Sequence, residues 1–166
     1  AGAKPGQKWP NFQWAVDRFF GWHMQMEIES KYNIKFPEVL REYYLKHNGD
    51  KIRLCIFEVD DEEFGVAEIV ELKYGNCSFE KLVENDREAG FIYEHLYPLA
   101  CNEGGDYFYW DIRDENVYML YCDDIENPVW ICASVKEFFD LLEYCGEKRV
   151  HTAAIGDIWR RSVKSV

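Results

Sequence analysis

Pro98-Leu99-Ala100-Cys101-Asn102-Glu103-Gly104-Gly105-Asp106-Tyr107-Phe108-Tyr109-Trp110-Asp111 is an acidic turn centred on a glycine pair that runs straight into a strand dense in aromatics. Gly104 and Gly105 let the backbone take positive φ and reverse tightly. Tyr107 to Ile112 have the aromatic and β-branched character of a strand. Asp114-Glu115-Asn116 reads as a short loop, after which Val117-Tyr118-Met119-Leu120-Tyr121 returns as the partner strand of a hairpin. The hairpin predicts a core element whose edges face an acidic surface. It supplies no evident catalytic group.

Working outward, Pro128 to Cys132 reads as a further strand, and Ser134 with Glu137 three residues on is a capping box. That box opens a helix carrying Phe138, Phe139, Leu141 and Leu142 to Tyr144, with Gly146 as its expected end. Upstream, Phe12, Val16, Phe19, Phe20 and His23 recur at helical spacing within Asn11 to Tyr32, with Gly21 as a candidate break. Pro37 suits a first helical turn, Glu38 favours the dipole, and Asn48-Gly49 forms a left-handed stop. Arg53 to Val59 predicts a strand and Asp60-Asp61-Glu62-Glu63 a loop. Phe64 to Leu72 is open between strand and helix. Phe79 to Ala89 predicts a charged surface helix after a break at Gly75-Asn76.

At 166 residues the chain is most economically one domain, long enough to bury a core without staples. Its 48% hydrophobic and 17% aromatic content argues against disorder. The net charge of −12 is unevenly placed: Glu58 to Glu126 holds 20 acids against 4 bases. Such a middle repels nucleic acid, whose affinity comes from phosphate neutralisation, and would attract a basic partner. A merely solvated acidic surface is the alternative reading. The six cysteines form no C-x-x-C pair and sit mostly in apolar runs, and no signal peptide or transmembrane run is visible. These features predict free thiols in a reducing cytoplasm, with no membrane partner.

Catalytic and metal patterns are mostly missing. The histidines His23, His47, His95 and His151 stand singly, without metal-ligand spacing, and no phosphate-cradling glycine loop or nucleophile elbow is present. The best nucleophile pairing is Cys101 with His95. Glu103, Asp106 and Asp111 could act as acid and base if a pocket shifted them, and Asp60 to Glu63 or Asp123-Asp124 could hold a hard cation. Loop carboxylates are more often simply solvated. The expectation is therefore no enzyme, no metal and no cofactor.

Four pieces in order carry a resemblance. They are Ile28 to Pro37; Glu38 to Gly49, ending Tyr44-Leu45-Lys46-His47-Asn48-Gly49; Leu99 to Asp111; and Ala133-Ser134 through Leu142. Together they resemble the SUKH superfamily, which joins the fungal cell-wall synthesis regulator family and bacterial immunity proteins. Pro37, Asn48, Gly49, Gly104, Gly105 and Asp111 are the motif residues. The resemblance implies an α+β fold, a central β-sheet with helices packed around it in a single domain. Residues 1–10 are then a flexible lead-in, 11–145 the SUKH-like domain, and 146–166 a basic C-terminal extension, helical and packed on the domain.

The resemblance further implies a binding role, most often neutralisation of a cognate bacterial toxin such as a nuclease or deaminase. With the charge pattern, it places a basic protein toxin domain against an acidic face of Glu58, Asp60, Asp61, Glu62, Glu63, Glu103, Asp106, Asp123 and Asp124. The alternative is a regulatory scaffold that recruits cellular partners through its aromatic surface.

Overall fold

A meander of five antiparallel strands, each hydrogen-bonded to the next in chain order, forms the sheet around which everything else is arranged. The computed structural model describes residues 12–47, 54–75 and 77–147. In chain order the elements are α1 (Phe12–Tyr32), α2 (Glu38–His47), β1 (Cys55–Val59), β2 (Glu62–Val66), β3 (Glu68–Ile69) and α3 (Phe79–Glu88). They continue with β4 (Leu96–Cys101), β5 (Tyr107–Asp111), β6 (Val117–Leu120), β7 (Val129–Cys132) and α4 (Val135–Glu147). β1 and β2 pair as a separate hairpin. This is the α+β class expected from the sequence. The Asn48-Gly49 stop, the lead-in of residues 1–10 and the extension beyond residue 147 lie outside the described residues.

The core fills the space between one sheet face and the helices. Phe108, Trp110, Val117, Met119 and Ile131 from the sheet meet Ile28, Leu40, Tyr44, Phe79 and Phe138 from the four helices. Gln25 is buried and ties α1 to α2 by donating from Nε2 to the Arg41 carbonyl at 2.8 Å. The Tyr44 hydroxyl donates to the Val70 carbonyl at 2.9 Å, which closes a buried donor that would otherwise cost stability. On the opposite sheet face Leu96, Tyr109 and Leu120 form a smaller cluster roofed by Phe91 and Tyr93.

Local chemistry explains the helix ends. α1 stops where Asn33 enters the left-handed region at φ 52 and the Ile34 N–H returns to the Glu29 carbonyl. The Pro37 carbonyl accepts from Leu40 and Arg41, so Pro37 caps α2 from just outside it. At α4 the Glu137 N–H donates to Ser134 Oγ at 3.1 Å. Glu137 Oε2 accepts in return from the Ala133 N–H at 2.9 Å, one residue before the usual partner of a capping box.

Four sequence expectations need correction. Gly21 does not break α1, which runs through it unbroken and packs there against Tyr44 and Leu45 of α2. α4 likewise passes Gly146 and reaches Glu147. The acidic run is not all loop: Asp60 and Asp61 make the tight turn at φ 50 and 65, whereas Glu62 and Glu63 belong to β2. Positive φ at both central residues matches the right-handed twist of the flanking strands, and aspartate tolerates it better than most residues. Finally, Cys55 is disulfide-bonded, which departs from the expected set of free thiols; Cys77, Cys101, Cys122 and Cys132 are free.

Candidate functional site

The antiparallel register decides which acids can act together. Glu68 pairs with Cys101, Cys101 with Tyr107, and Tyr107 with Leu120. The β4–β5 turn and the β6–β7 loop therefore leave the same end of the sheet. The turn is shaped by Asn102, whose Oδ1 accepts from the Asp106 N–H at 2.8 Å and whose N–H donates to the Asp106 carbonyl at 3.0 Å. Gly105, at φ 86, supplies the left-handed step. Asp106 then bridges out of the turn: its Oδ1 accepts from the Cys122 N–H at 2.9 Å.

The tip of the β1–β2 hairpin joins this end. Glu62 occupies the inward-facing row of β2 with Phe64 and Val66, and its Oε1 accepts from the Tyr121 hydroxyl at 3.3 Å. Burial, together with the Glu62 carboxylate, pushes the Tyr121 hydroxyl up. Burial and the Asp106 carboxylate do the same to the Cys122 thiol. Asp106 is itself held below the usual carboxylate range, first by the Cys122 N–H and against some burial. Asp124 Oδ1 accepts from Asn127 Nδ2 at 2.7 Å, which shapes the β6–β7 loop. Residues 60–69, 101–106 and 121–128 contain no Lys or Arg, so the three segments that meet here carry no base of their own.

Of the predicted face, the structure brings Glu62, Glu103, Asp106, Asp123 and Asp124 to one end, with Asp60 and Asp61 at the hairpin tip beside them. Glu58 and Glu63 stand apart on the outer face of the hairpin, directly opposite each other, where like charges repel. The structure adds Glu68 and Tyr121, which the sequence reading did not single out.

Asp111 belongs elsewhere. It closes β5 at the far end of the sheet, roughly 16 Å of extended chain from Asp106 at about 3.3 Å per residue. Its side chain is buried, and Arg113 grips it through Nη2 at 2.7 Å and Nε at 3.0 Å, with the Arg113 N–H at 2.9 Å. Burial opposes ionisation there, yet Arg113 and the nearby His95 outweigh it and hold the carboxyl below its ordinary value. An acid–base pairing of Asp111 with Asp106 or Glu103 is therefore excluded by distance.

The Cys101–His95 pairing fails for the same reason, because these residues flank opposite ends of β4. Burial, with Glu68 beside it, pushes the Cys101 thiol up to about 11, the reverse of an activated nucleophile. Among the described residues no group of three or more His, Cys, Asp or Glu is placed to hold a metal ion. Among them, too, no helix is long and apolar enough to cross a membrane.

Residues 26–141 match the family model described as the SMI1/KNR4 family (SUKH-1). The chain belongs to that family. The matched segment starts in α1, includes every strand, and ends inside α4, so the SUKH-1 domain contains both the acidic end and the Asp111 end of the sheet. Searches of curated proteins and of solved structures found no match.

Proposed function

We propose that this SUKH-1 domain is a non-enzymatic protein-binding module that neutralises a cognate bacterial toxin by covering a basic surface of it with the acidic end of the sheet. The observation that carries this reading is the convergence of three base-free segments on one sheet end, fixed by the Asp106–Cys122 and Glu62–Tyr121 hydrogen bonds. Asp106, held by Asn102 and the Cys122 N–H, needs little ordering when a partner arrives, so its attraction loses little to entropy. A nuclease or deaminase is basic where it meets phosphate, and a dense acidic end competes for that surface and speeds the encounter.

The test is co-purification with the C-terminal domain encoded by the neighbouring upstream reading frame, followed by reversal of the exposed acids Glu103→Lys, Asp123→Lys and Asp124→Lys. A salt-sensitive complex weakened at least tenfold by the triple variant, with loss of rescue in cells, supports the reading. Unchanged binding by the folded triple variant removes the acidic end from it.

A second reading, a regulatory scaffold, is favoured by α1. Phe19, Phe20, Trp22 and Met26 are all exposed on that helix, at 42% or more of their surface. Such an apolar patch is uncommon on a surface without a binding role. Capture of several cellular proteins, lost on Phe20→Ser and Trp22→Ser and indifferent to salt, would favour the scaffold over toxin neutralisation.

A further inference from the structure

Between α3 and the 90–97 segment lies an open groove of about 800 Å³. Val83, Asp86, Phe91, Tyr93, Glu94 and Tyr97 line it. Its volume is that of a side-chain or small-ligand site. Its aromatic walls are fixed in place. Phe91 stacks on Tyr109 with centroids 5.3 Å apart, and the Tyr93 hydroxyl donates to the Glu126 carbonyl at 3.3 Å, fastening this wall to the β6–β7 loop.

Asp86 is the unusual member. It is a half-buried carboxylate that accepts from the Tyr109 hydroxyl at 3.0 Å, and among the described residues no Lys, Arg or His pairs with it. Arg87 also borders the groove, but its guanidinium lies over the Tyr32 ring, 4.9 Å from the centroid. Asp86 stands moreover in the last turn of α3, where the helix dipole disfavours negative charge. Burial, opposed only by the Tyr109 hydroxyl, raises its carboxyl above the usual range. A carboxylate so placed, with no cation beside it among the described residues, is a ready partner for a cation brought by another molecule.

We propose that this groove receives an arginine side chain of the protein partner, its guanidinium against the Asp86 carboxylate and its flat face along Phe91 and Tyr93. Arginine fits better than lysine. The planar fork matches a carboxylate through two hydrogen bonds, stacks on aromatic rings and is weakly hydrated. Glu94 at the exposed rim adds charge of the same sign. The partner is the basic protein of the reading above, and the proposal rests on that reading for the source of the side chain.

The test begins without the partner. The full chain is titrated with N-acetyl-arginine amide, and N-acetyl-norleucine amide serves as the uncharged control, with backbone amide shifts as the readout. The expected result is saturable movement of the Phe91, Tyr93 and Glu94 amides by the arginine probe alone. Asp86→Asn weakens this at least tenfold while its melting temperature holds or rises, since asparagine keeps an acceptor for Tyr109 and removes the unpaired charge. No movement at these amides, equal movement by norleucine amide, or an unchanged titration in Asp86→Asn overturns the proposal. In the complex, Asp86→Asn lowers partner affinity by a similar factor. If the Lys variants of the acidic end abolish the complex while Asp86→Asn leaves it intact, the groove proposal falls and the acidic-end reading stands. If arginine amide binds and no basic partner does, the groove takes a guanidinium and the source is wrong.

Discussion

Asp106 and Cys122 join two different loops through one bond, the Cys122 N–H donating to Asp106 Oδ1 at 2.9 Å. The carboxylate also accepts from Asn102 Nδ2 at 3.2 Å, so one side chain sets both the turn after β4 and the loop after β6. Asp106→Ala is expected to cost about 1 kcal/mol, the net worth of such a bond. For a chain of this size that is a fall of roughly 3 °C in melting temperature. Amide shifts confined to residues 102–106 and 121–124 would locate the effect. An unchanged melting curve and spectrum would show that Asp106 does not organise this end.

The Asp111–Arg113 pair predicts a dependence on pH. Because the folded-state pKa of Asp111 is lowered, its stabilisation is present above the unfolded-state value and is lost as pH falls through the folded one. Asp111→Asn should therefore be less stable than the parent near neutrality, by about 2 kcal/mol for a charged hydrogen-bonded partner. The gap should close as pH drops below about 4, the ordinary aspartate range. Urea melts of both proteins across that range would decide it. A gap that stays constant would mean that ionisation of Asp111 contributes nothing.

Gly21 offers a gain in stability. A Cβ built there would lie 3.5 Å from the Tyr44 carbonyl oxygen and 3.7 Å from Leu45, ordinary contact distances. Alanine therefore fits while removing the entropy cost of glycine in a helix, so Gly21→Ala should stabilise by about 0.5–1 kcal/mol. Gly21→Leu should destabilise, since further atoms meet the α2 backbone. A thermal shift of the same sign for both variants would contradict this helix contact.

The free thiols should differ in reactivity. Burial pushes Cys132 up to about 12 and Cys101 up to about 11, whereas Cys122 is exposed and Cys77 half-exposed. Brief alkylation of the native protein near neutral pH, mapped by peptide mass spectrometry, should mark Cys122 and Cys77 ahead of Cys101 and Cys132. Preferential labelling of Cys101 would reopen a nucleophilic role for it.

The helices and the aromatic hairpin were legible because each has a local cause. Ser134 and Glu137 cap α4, Asn33 and Pro37 bracket the α1–α2 connection, and Tyr107 to Trp110 and Val117 to Leu120 have the aromatic and β-branched residues of strands. β4 was not legible. All six of its residues are buried, so it shows no alternation, and Pro98 argues against a central strand. The ladder shifts register between Pro98 and Ala100, which is how the proline is accommodated. Without β4 there is no way to know that His95 and Cys101 lie at opposite ends of the sheet, or that Glu68 joins the acidic one. Asp86 was hidden differently. Within Glu80 to Glu88 it looks like one more solvated charge, and only the Tyr109 hydroxyl it accepts from and the groove it lines set it apart.

The two ends of the sheet answer to different masters. At the Asp111 end a buried carboxylate, its arginine and a tight loop are interlocked, so exchanging any one of them disturbs folding. At the other end Glu103 and Asp123 project from loops whose shape comes from Asn102, Asp106 and the Asp124–Asn127 pair. Those projecting side chains can be rewritten in sign, size or hydrogen-bonding character without touching the strands beneath. If that end is the binding surface proposed above, a handful of surface substitutions would retarget it while the scaffold stays as it is, like a key recut on the same blank.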